Sequence, residues 1–96
     1  MRSRLPHKRD ANHVEIATAF EQLGCSVFDS SAMGDGMTDL ICATAGQTFL
    51  VEIKTPEGKL TPAQEFLIER WRAPIYVVGS MDDAANTVQK IRRTAR

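Results

Sequence analysis

Two short apolar segments joined by a tight turn constrain the fold of this chain more than any other feature of its sequence. Residues 39–44 and 48–54 are rich in apolar, β-branched and aromatic side chains, and Ala45-Gly46-Gln47 separates them. Segments of this composition are typical of β-strands, and strands joined by so short a turn pair antiparallel. The sequence therefore predicts an antiparallel hairpin at the centre of the chain.

Helical periodicity and turn residues predict the elements before the hairpin. Asn12 is suited to cap a first helix, with Glu15 three positions later as its capping-box partner. Ile16 and Phe20 lie on one face of that helix, and Gly24 ends it. A short strand at residues 25–28 follows, and a glycine-containing loop leads from it into the hairpin.

The segment after the hairpin predicts a helix, a strand and a last helix. Thr61 is the expected N-cap of the middle helix, with Gln64 as its capping-box partner. Its expected buried face consists of Ala63, Phe66, Leu67 and Trp71. A strand at 75–78 and a helix that begins after Ser80 and runs toward Arg93 complete the chain. The order αβββαβα predicts an α/β protein with a small mixed sheet and helices packed against it.

Charge is distributed unevenly along the 96 residues, although the formal net charge is zero. Residues 10–89 contain all twelve acidic residues and four of the twelve basic ones, so this part carries a net charge of minus eight. The basic ends would attract phosphate groups, whereas the acidic part repels them unless a cation intervenes. The alternative is that both ends are merely solvated and the C-terminal one complements a helix dipole.

Composition limits the domain organisation and the cellular location. We expect a basic flexible arm at residues 1–10 and a single domain at 11–96. No apolar run is long enough for a membrane span, and the N-terminal residues lack the apolar core of a signal peptide. The expected location is therefore cytoplasmic.

Cys25 and Cys42 lie in apolar surroundings and are expected to be buried free thiols, whereas His13 is expected at the surface.

The second strand of the hairpin places an acid and a base on one face. Side chains alternate between the faces of a sheet, so Leu50, Glu52 and Lys54 share one face. Phe49, Val51 and Ile53 point to the opposite face. Glu52 and Lys54 are then about 7 Å apart. Taken alone, this pair could be an ion pair on an edge strand, which contributes under about 1 kcal/mol.

Asp39, at the start of the first strand of the hairpin, favours a chemical role. In one antiparallel register Asp39 lies opposite Glu52, and both carboxylates face the same side of the sheet. A register shifted by one residue would set Asp39 against Ile53 and bury it with the apolar face, which is too costly for an unpaired carboxylate. Two carboxylates that face each other also repel, and a divalent cation between them removes the repulsion.

Such a site contains the minimum for phosphodiester hydrolysis. Mg²⁺ takes oxygen ligands and keeps several waters, so one or two carboxylates and the carbonyl of Ile53 suffice to bind it. The metal would polarise a phosphate and lower the pKa of a bound water. Lys54 could orient that water or stabilise charge on the phosphate.

These residues and their neighbours resemble the motif of the VRR-NUC family of the PD-(D/E)xK nuclease superfamily, in particular that of its stand-alone members. The family pattern is Gly-x-Pro-Asp-Leu, then Glu-x-Lys, then Gly-x-Leu-(Ser/Thr)-x-x-Gln. Residues 36–40 and 51–64 match it, with Asp39, Glu52, Lys54 and Gln64 at the motif positions. Thr38 stands where the family usually has proline, and because that proline supplies no ligand the expected site remains intact.

The resemblance implies a restriction-endonuclease-like fold and a Mg²⁺- or Mn²⁺-dependent DNA endonuclease. Asp39 and Glu52 would be metal ligands and Lys54 the catalytic lysine. Stand-alone members, many from bacteriophages, tend to be homodimers that cut branched DNA such as Holliday junctions. No membrane partner and no small-molecule substrate are expected.

Two residues have an alternative role as helix caps. The family usually carries an acid on the first helix that reaches the metal, and Glu15 is the candidate. Gln64 is likewise expected near the site. Each also fits a capping box, and the two roles can coexist in one residue.

Two other functions remain open from the sequence. The chain could be a DNA-binding module that keeps the nuclease fold without cleaving, or a nuclease subunit that needs a partner for targeting. Degenerate nuclease folds typically lose one of the three motif residues. Because Asp39, Glu52 and Lys54 are all present, the sequence favours an active enzyme.

Overall fold

The protein is described by a computed structural model over residues 11–34, 36–54 and 58–95. The predicted basic arm at residues 1–10 lies outside this part of the chain. In chain order the elements are α1 (Ala11–Gln22), β1 (Ser26–Asp29), β2 (Leu40–Thr44), β3 (Gln47–Ile53), α2 (Pro62–Arg70), β4 (Ile75–Val78) and α3 (Met81–Thr94). They form a compact α/β fold with a small mixed sheet, which confirms the predicted fold class at this level.

The sheet has the strand order β1-β2-β3-β4. β1 pairs antiparallel with β2, β2 antiparallel with β3, and β3 parallel with β4. The turn between β2 and β3 contains Ala45 at φ 54° and Gly46 at φ 76°. Two successive residues with positive φ form the type I′ turn that matches the twist of a two-residue hairpin. Leu40 pairs with Val51, so the predicted register of the hairpin is confirmed.

The hydrophobic core lies on one face of the sheet, beneath α1 and α3. The buried strand residues of that face include Leu40, Phe49 and Val51, and they pack with Ile16 and Phe20 of α1. Phe20 and Phe49 have ring centroids 6.0 Å apart in a tilted arrangement. This apolar contact determines which face of α1 points toward the sheet.

Both cysteines belong to this core. Cys25 and Cys42 are buried free thiols, as the sequence predicts. Burial, and secondarily the proximity of Cys25, raises the pKa of Cys42 to about 12. Since the thiolate is the reactive form of cysteine, neither residue is suited to act as a nucleophile.

Helix α2 differs from the other two helices because none of its residues is buried. Phe66 is 60% exposed and Trp71, which follows the helix, is 47% exposed. The predicted buried face of this helix is therefore wrong. Helical spacing identifies the side chains that share a face, but it does not reveal whether another element covers that face.

The helix caps are partly as predicted. The side chain of Ser80 accepts from Asp83 N and caps α3, and Thr61 and Gln64 form the expected capping box of α2. The predicted cap at Asn12 is wrong, because Asn12 lies inside α1.

Within the described part of the chain, no helix has the length and hydropathy required to cross a membrane.

One basic residue near the C-terminus has a structural contact. Arg92 Nη2 donates to the carbonyl of Leu23 at 2.6 Å and to Thr44 Oγ1 at 3.1 Å. It thereby joins α3 to the end of α1 and to the turn end of β2. Carbonyl groups at the C-terminal end of a helix have no partner within the helix, so a guanidinium there satisfies one of them.

We expect Arg92→Ala to reduce the free energy of unfolding by about 1 kcal/mol, because it leaves the Leu23 carbonyl without this donor. Urea denaturation at equilibrium measures the change. Arg93→Ala removes the same charge from an exposed neighbour and is the control. Equal destabilisation by the two substitutions would mean that the hydrogen bonds of Arg92 contribute nothing.

Candidate metal-binding site

A cavity of about 400 Å³ opens at the end of the sheet where β2 begins and β3 ends. Its lining includes Asp39, Glu52, Ile53, Lys54 and Gln64. The hairpin register produces this grouping, because Leu40 opposite Val51 places the preceding Asp39 beside Glu52. The structure thus brings together five of the six residues predicted for the site.

Asp39 is held by the backbone on both sides. Its carbonyl accepts from Ser30 N at 2.9 Å, and its Oδ2 accepts from Ile53 N at 2.9 Å. The preceding residue, Thr38, is only 1% exposed and donates from Oγ1 to the carbonyl of Leu40 at 3.2 Å. Thr38 therefore fixes the start of β2 with hydrogen bonds of its own where the resembled family usually has proline.

Glu52 is the most unusual group in the cavity, since only 2% of this charged residue is exposed. Its Oε2 accepts from Gln64 Nε2, whereas its Oε1 is buried and has no hydrogen-bond partner among the described residues. Burial, followed by the nearby Asp39, raises the pKa of Glu52 to about 9. Without a cation, Glu52 therefore keeps a proton at neutral pH.

Gln64 has both of the roles considered for it. Its Oε1 accepts from Thr61 N at 2.8 Å, and its backbone N–H donates to Thr61 Oγ1 at 3.1 Å. These bonds fix the side chain at the start of α2, and its Nε2 is then directed at Glu52. A capping box, which the sequence predicts from local spacing alone, thus positions a side chain in the site.

The loop before β2 meets α2 at Gly36. Gly36 has φ +77°, and a Cβ at this position would lie 2.8 Å from the carbonyl oxygen of Ala63. Both residues line the cavity. A side chain at position 36 would strain the backbone and separate the loop from the helix.

Among the described residues, two lysines contribute positive charge to the cavity. Lys54 and Lys59 both line it and are exposed. Lys54 N donates to the carbonyl of Val78 at 2.9 Å, so its backbone is fixed against β4 just beyond the end of β3. The backbone of Lys54 is therefore fixed beside the carboxyl pair, and its side chain is accessible to a ligand.

Glu15 is the predicted site residue that the structure does not bring to the cavity. It is exposed on α1, whereas His13, which was expected at the surface, is 5% exposed and lines the cavity. Residues two positions apart point in nearly opposite directions on a helix. The sequence contained a signal for His13, because residues 13, 16 and 20 form one helical stripe that includes the core residues Ile16 and Phe20.

The donors at this end of the sheet fit a hard divalent cation. Within residues 11–34, 36–54 and 58–95, no three His, Cys, Asp or Glu side chains form a metal-binding group. Mg²⁺ does not need such a group, because it keeps several waters and binds through one or two carboxylates. Glu52 Oε1 has no hydrogen-bond partner within these residues, and a cation would favour the ionised form of Glu52 beside Asp39.

The carbonyl of Ile53 is suited to join this donor set. In an antiparallel pair, a residue directs its N–H and its carbonyl toward the same neighbouring strand. Ile53 N–H points to the Asp39 carboxylate, so its carbonyl oxygen faces the same side of β3. Two carboxylates, one carbonyl and water would supply oxygen ligands alone.

Comparison of the chain with known protein families, with curated proteins and with solved structures finds no match. The resemblance to the VRR-NUC pattern therefore rests on the motif residues themselves.

We expect the thermal unfolding midpoint of the metal-free protein to fall as pH rises from about 6 to 9. The folded-state pKa of Glu52 is raised to about 9 from an ordinary value of 4.5, so the folded state binds this proton more tightly. The resulting stabilisation is complete below the ordinary pKa and is lost as pH rises through the folded value. Differential scanning calorimetry in EDTA measures it.

Glu52→Gln should abolish most of this pH dependence, since an amide does not ionise. Glu69→Gln, at an exposed position of α2, should leave it unchanged. At pH 9 we expect the thermal midpoint of wild type to lie more than about 4 °C below that of Glu52→Gln. This is the shift in midpoint that 1 kcal/mol produces in a domain of this size. If the thermal midpoints of wild type and Glu52→Gln changed in parallel with pH, the raised pKa of Glu52 would be contradicted.

Proposed function

We propose that this chain is a divalent-metal-dependent endonuclease that hydrolyses phosphodiester bonds in DNA. The observation that carries the proposal is the buried carboxyl group of Glu52, which lies beside Asp39 in an accessible cavity. Its Oε1 has no hydrogen-bond partner in the described part of the chain. A protein that used this cavity only for stability would not need a second carboxyl group beside a buried one. Lys54 at the end of the same strand adds the cationic group that phosphoryl chemistry requires.

Three residues would hold the metal in this proposal. Asp39 and Glu52 supply carboxylate oxygens, and Ile53 supplies its backbone carbonyl. When bound, Mg²⁺ or Mn²⁺ polarises the scissile phosphate and makes a coordinated water more acidic.

The remaining residues orient these ligands and the substrate. Gln64 holds Glu52 Oε2, and Oε1, which has no hydrogen-bond partner among the described residues, would be the oxygen available to a cation. Ile53 N–H holds Asp39 Oδ2 in the same way. Lys54 either orients the attacking water or donates to the phosphate oxygens as negative charge develops on them.

Branched DNA is the proposed substrate class, and the resemblance to stand-alone VRR-NUC nucleases supports it. The charge distribution is consistent with a site that depends on a cation. The acidic part of the chain between residues 10 and 89 repels a phosphate backbone, and the metal with Lys54 and Lys59 offsets this repulsion locally.

Labelled four-way junction, flap, single-stranded and duplex DNA should be incubated with the protein in Mg²⁺, Mn²⁺ or EDTA. We expect metal-dependent cleavage, greatest on branched DNA, that falls at least about 100-fold in Lys54→Ala because a group that stabilises the transition state is lost. Arg72→Ala removes an equal charge from an exposed position between α2 and β4 that does not line the cavity, and it should retain wild-type activity.

Failure to cleave any of these substrates would reject the nuclease. Junction binding that persists without cleavage would favour the DNA-binding module. Cleavage that appears only on addition of a cell extract would favour the partner-dependent subunit. Cleavage at the same rate in EDTA as in Mg²⁺ or Mn²⁺ would reject the dependence on a metal.

The proposal includes a homodimer, which the resemblance implies. Two-fold pairing would place two cavities on one branched DNA molecule. We expect sedimentation equilibrium at micromolar concentration to give twice the chain mass of 10.6 kDa. A monomer under these conditions would remove the dimer from the proposal without affecting the test of hydrolysis.

A further inference from the structure

Helix α2 begins at the cavity and presents an accessible surface that leads away from it. Its first turn contributes Ala63 and Gln64 to the cavity lining, whereas none of its residues is buried. The capping box between Thr61 and Gln64 fixes this end of the helix. The helix is therefore an ordered surface beside the proposed site, and little of it is used in packing.

An aromatic ring and a guanidinium group form a pair on this surface. Phe66 is 60% exposed, and the guanidinium carbon of Arg70 lies 5.0 Å from the centroid of its ring. Ala63, Phe66 and Arg70 share one stripe, because positions three and four apart on a helix are neighbours. Since Ala63 belongs to the cavity lining, the Phe66–Arg70 pair continues that wall, about 5 Å further along the helix axis.

The charge on this stripe favours a polyanionic partner. The acidic part of the chain contains only four basic residues. Lys54 and Lys59 line the cavity, and Arg70 is a third. The two acids of α2, Glu65 and Glu69, are also four positions apart and form a separate stripe. A phosphate backbone, which most of this part of the chain repels, would therefore meet positive charge in the cavity and again at the Phe66–Arg70 pair.

A second copy of the chain fits the Phe66–Arg70 pair less well than a nucleic acid does. In a two-fold interface centred on this stripe, the same patch would meet itself. Each Arg70 would then lie close to its own counterpart, and like charges placed together oppose association. The pair is therefore better suited to a negatively charged partner.

The combination of ring and guanidinium is suited to a nucleobase. Proteins bind single strands by stacking bases on aromatic side chains and on arginine planes, together with cations that attract the phosphates. Inside a duplex the faces of a base are covered by its neighbours, so a base must be unpaired or extruded before it can stack on a protein side chain. A branched DNA with a single-stranded arm provides such bases.

We propose that Phe66 and Arg70 form a contact surface for an unpaired nucleotide next to the phosphate in the cavity. The base stacks on the Phe66–Arg70 pair, and the positive charge of Arg70 attracts the strand. The phosphate in the cavity rests on the proposed function, and the substrate class is narrowed to branched DNA with a single-stranded arm. The base contact itself is measured without cleavage.

Fluorescence anisotropy of a labelled thymidine octanucleotide, with Ca²⁺ in place of Mg²⁺, measures the contact. We expect Phe66→Ala to raise Kd at least about fivefold, the loss expected for one stacked base. Phe66→Tyr keeps the ring and should stay within about twofold of wild type. Phe28→Ala is the control, because Phe28 is 59% exposed and does not line the cavity.

A pair of arginine variants separates the stack from charge in general. Arg70→Ala should raise Kd at least about threefold, because it removes both the cation and the group over the Phe66 ring. Arg72→Ala removes the same charge outside α2 and should leave Kd near the wild-type value. Equal losses of affinity in the two variants would reject Arg70 as part of the contact surface.

An abasic octanucleotide separates base stacking from attraction of the phosphates. It has the phosphates of the thymidine strand but no bases, so wild type should bind it at least about fivefold less tightly. Phe66→Ala should bind the two strands with similar affinity. Equal affinity of wild type for both strands would reject the base contact.

Cleavage tests whether the contact selects the substrate. We expect kcat/KM of wild type for a flap with a single-stranded arm to exceed that for a fully paired four-way junction at least about fivefold, and Phe66→Ala to lose this preference. The thermal midpoint of each variant verifies folding. A folded Phe66→Ala protein with an unchanged preference would reject the narrowed substrate class.

The outcomes distinguish this inference from the proposed function. An affinity that depends on Phe66 in a protein that cleaves no DNA would support the base contact and reject the hydrolysis. Cleavage, together with equal Kd for wild type and Phe66→Ala, would reject the contact and leave the hydrolysis intact. A change from dimer to monomer in Phe66→Ala with an unchanged Kd would also reject it and assign this face of α2 to a second copy.

Discussion

Two carboxyl groups meet at one end of the sheet because the β2–β3 hairpin pairs in a single register. The turn at Ala45 and Gly46 fixes that register, and the apolar core selects it. A slip of β2 by one residue would move Leu40 out of the core and turn Asp39 toward it, because side chains alternate between faces. The same choice that buries the core therefore positions Asp39 beside Glu52.

This juxtaposition is costly for the protein alone. Burial and the nearby Asp39 raise the pKa of Glu52, and one of its carboxyl oxygens has no hydrogen-bond partner among the residues that the structure describes. Protein structures retain such frustrated groups mainly at functional sites, where a ligand relieves them. The hydrogen bonds from Gln64 and the Ile53 N–H hold the pair in place without removing this cost.

The hydrophobic core and the carboxyl pair lie on different faces of the sheet. α1 and α3 cover the apolar face and form the core with it, and Arg92 joins the far ends of these elements. The other face carries the carboxyl pair, and α2 contacts it through its first turn without burying a residue. The cavity is therefore accessible, and α2 exposes Phe66 because little of its surface takes part in packing.

The sequence by itself determined the features that depend on neighbouring residues. The hairpin, its register, the proximity of Asp39 and Glu52 and the capping box of Gln64 all follow from alternation, a short turn and local spacing. Only the tertiary structure decided which side of each helix meets the sheet. It placed His13 rather than Glu15 at the cavity and left α2 largely uncovered. The physical reason is that the rotation of a helix about its axis is determined by contacts between distant segments, here by Ile16 and Phe20 in the core.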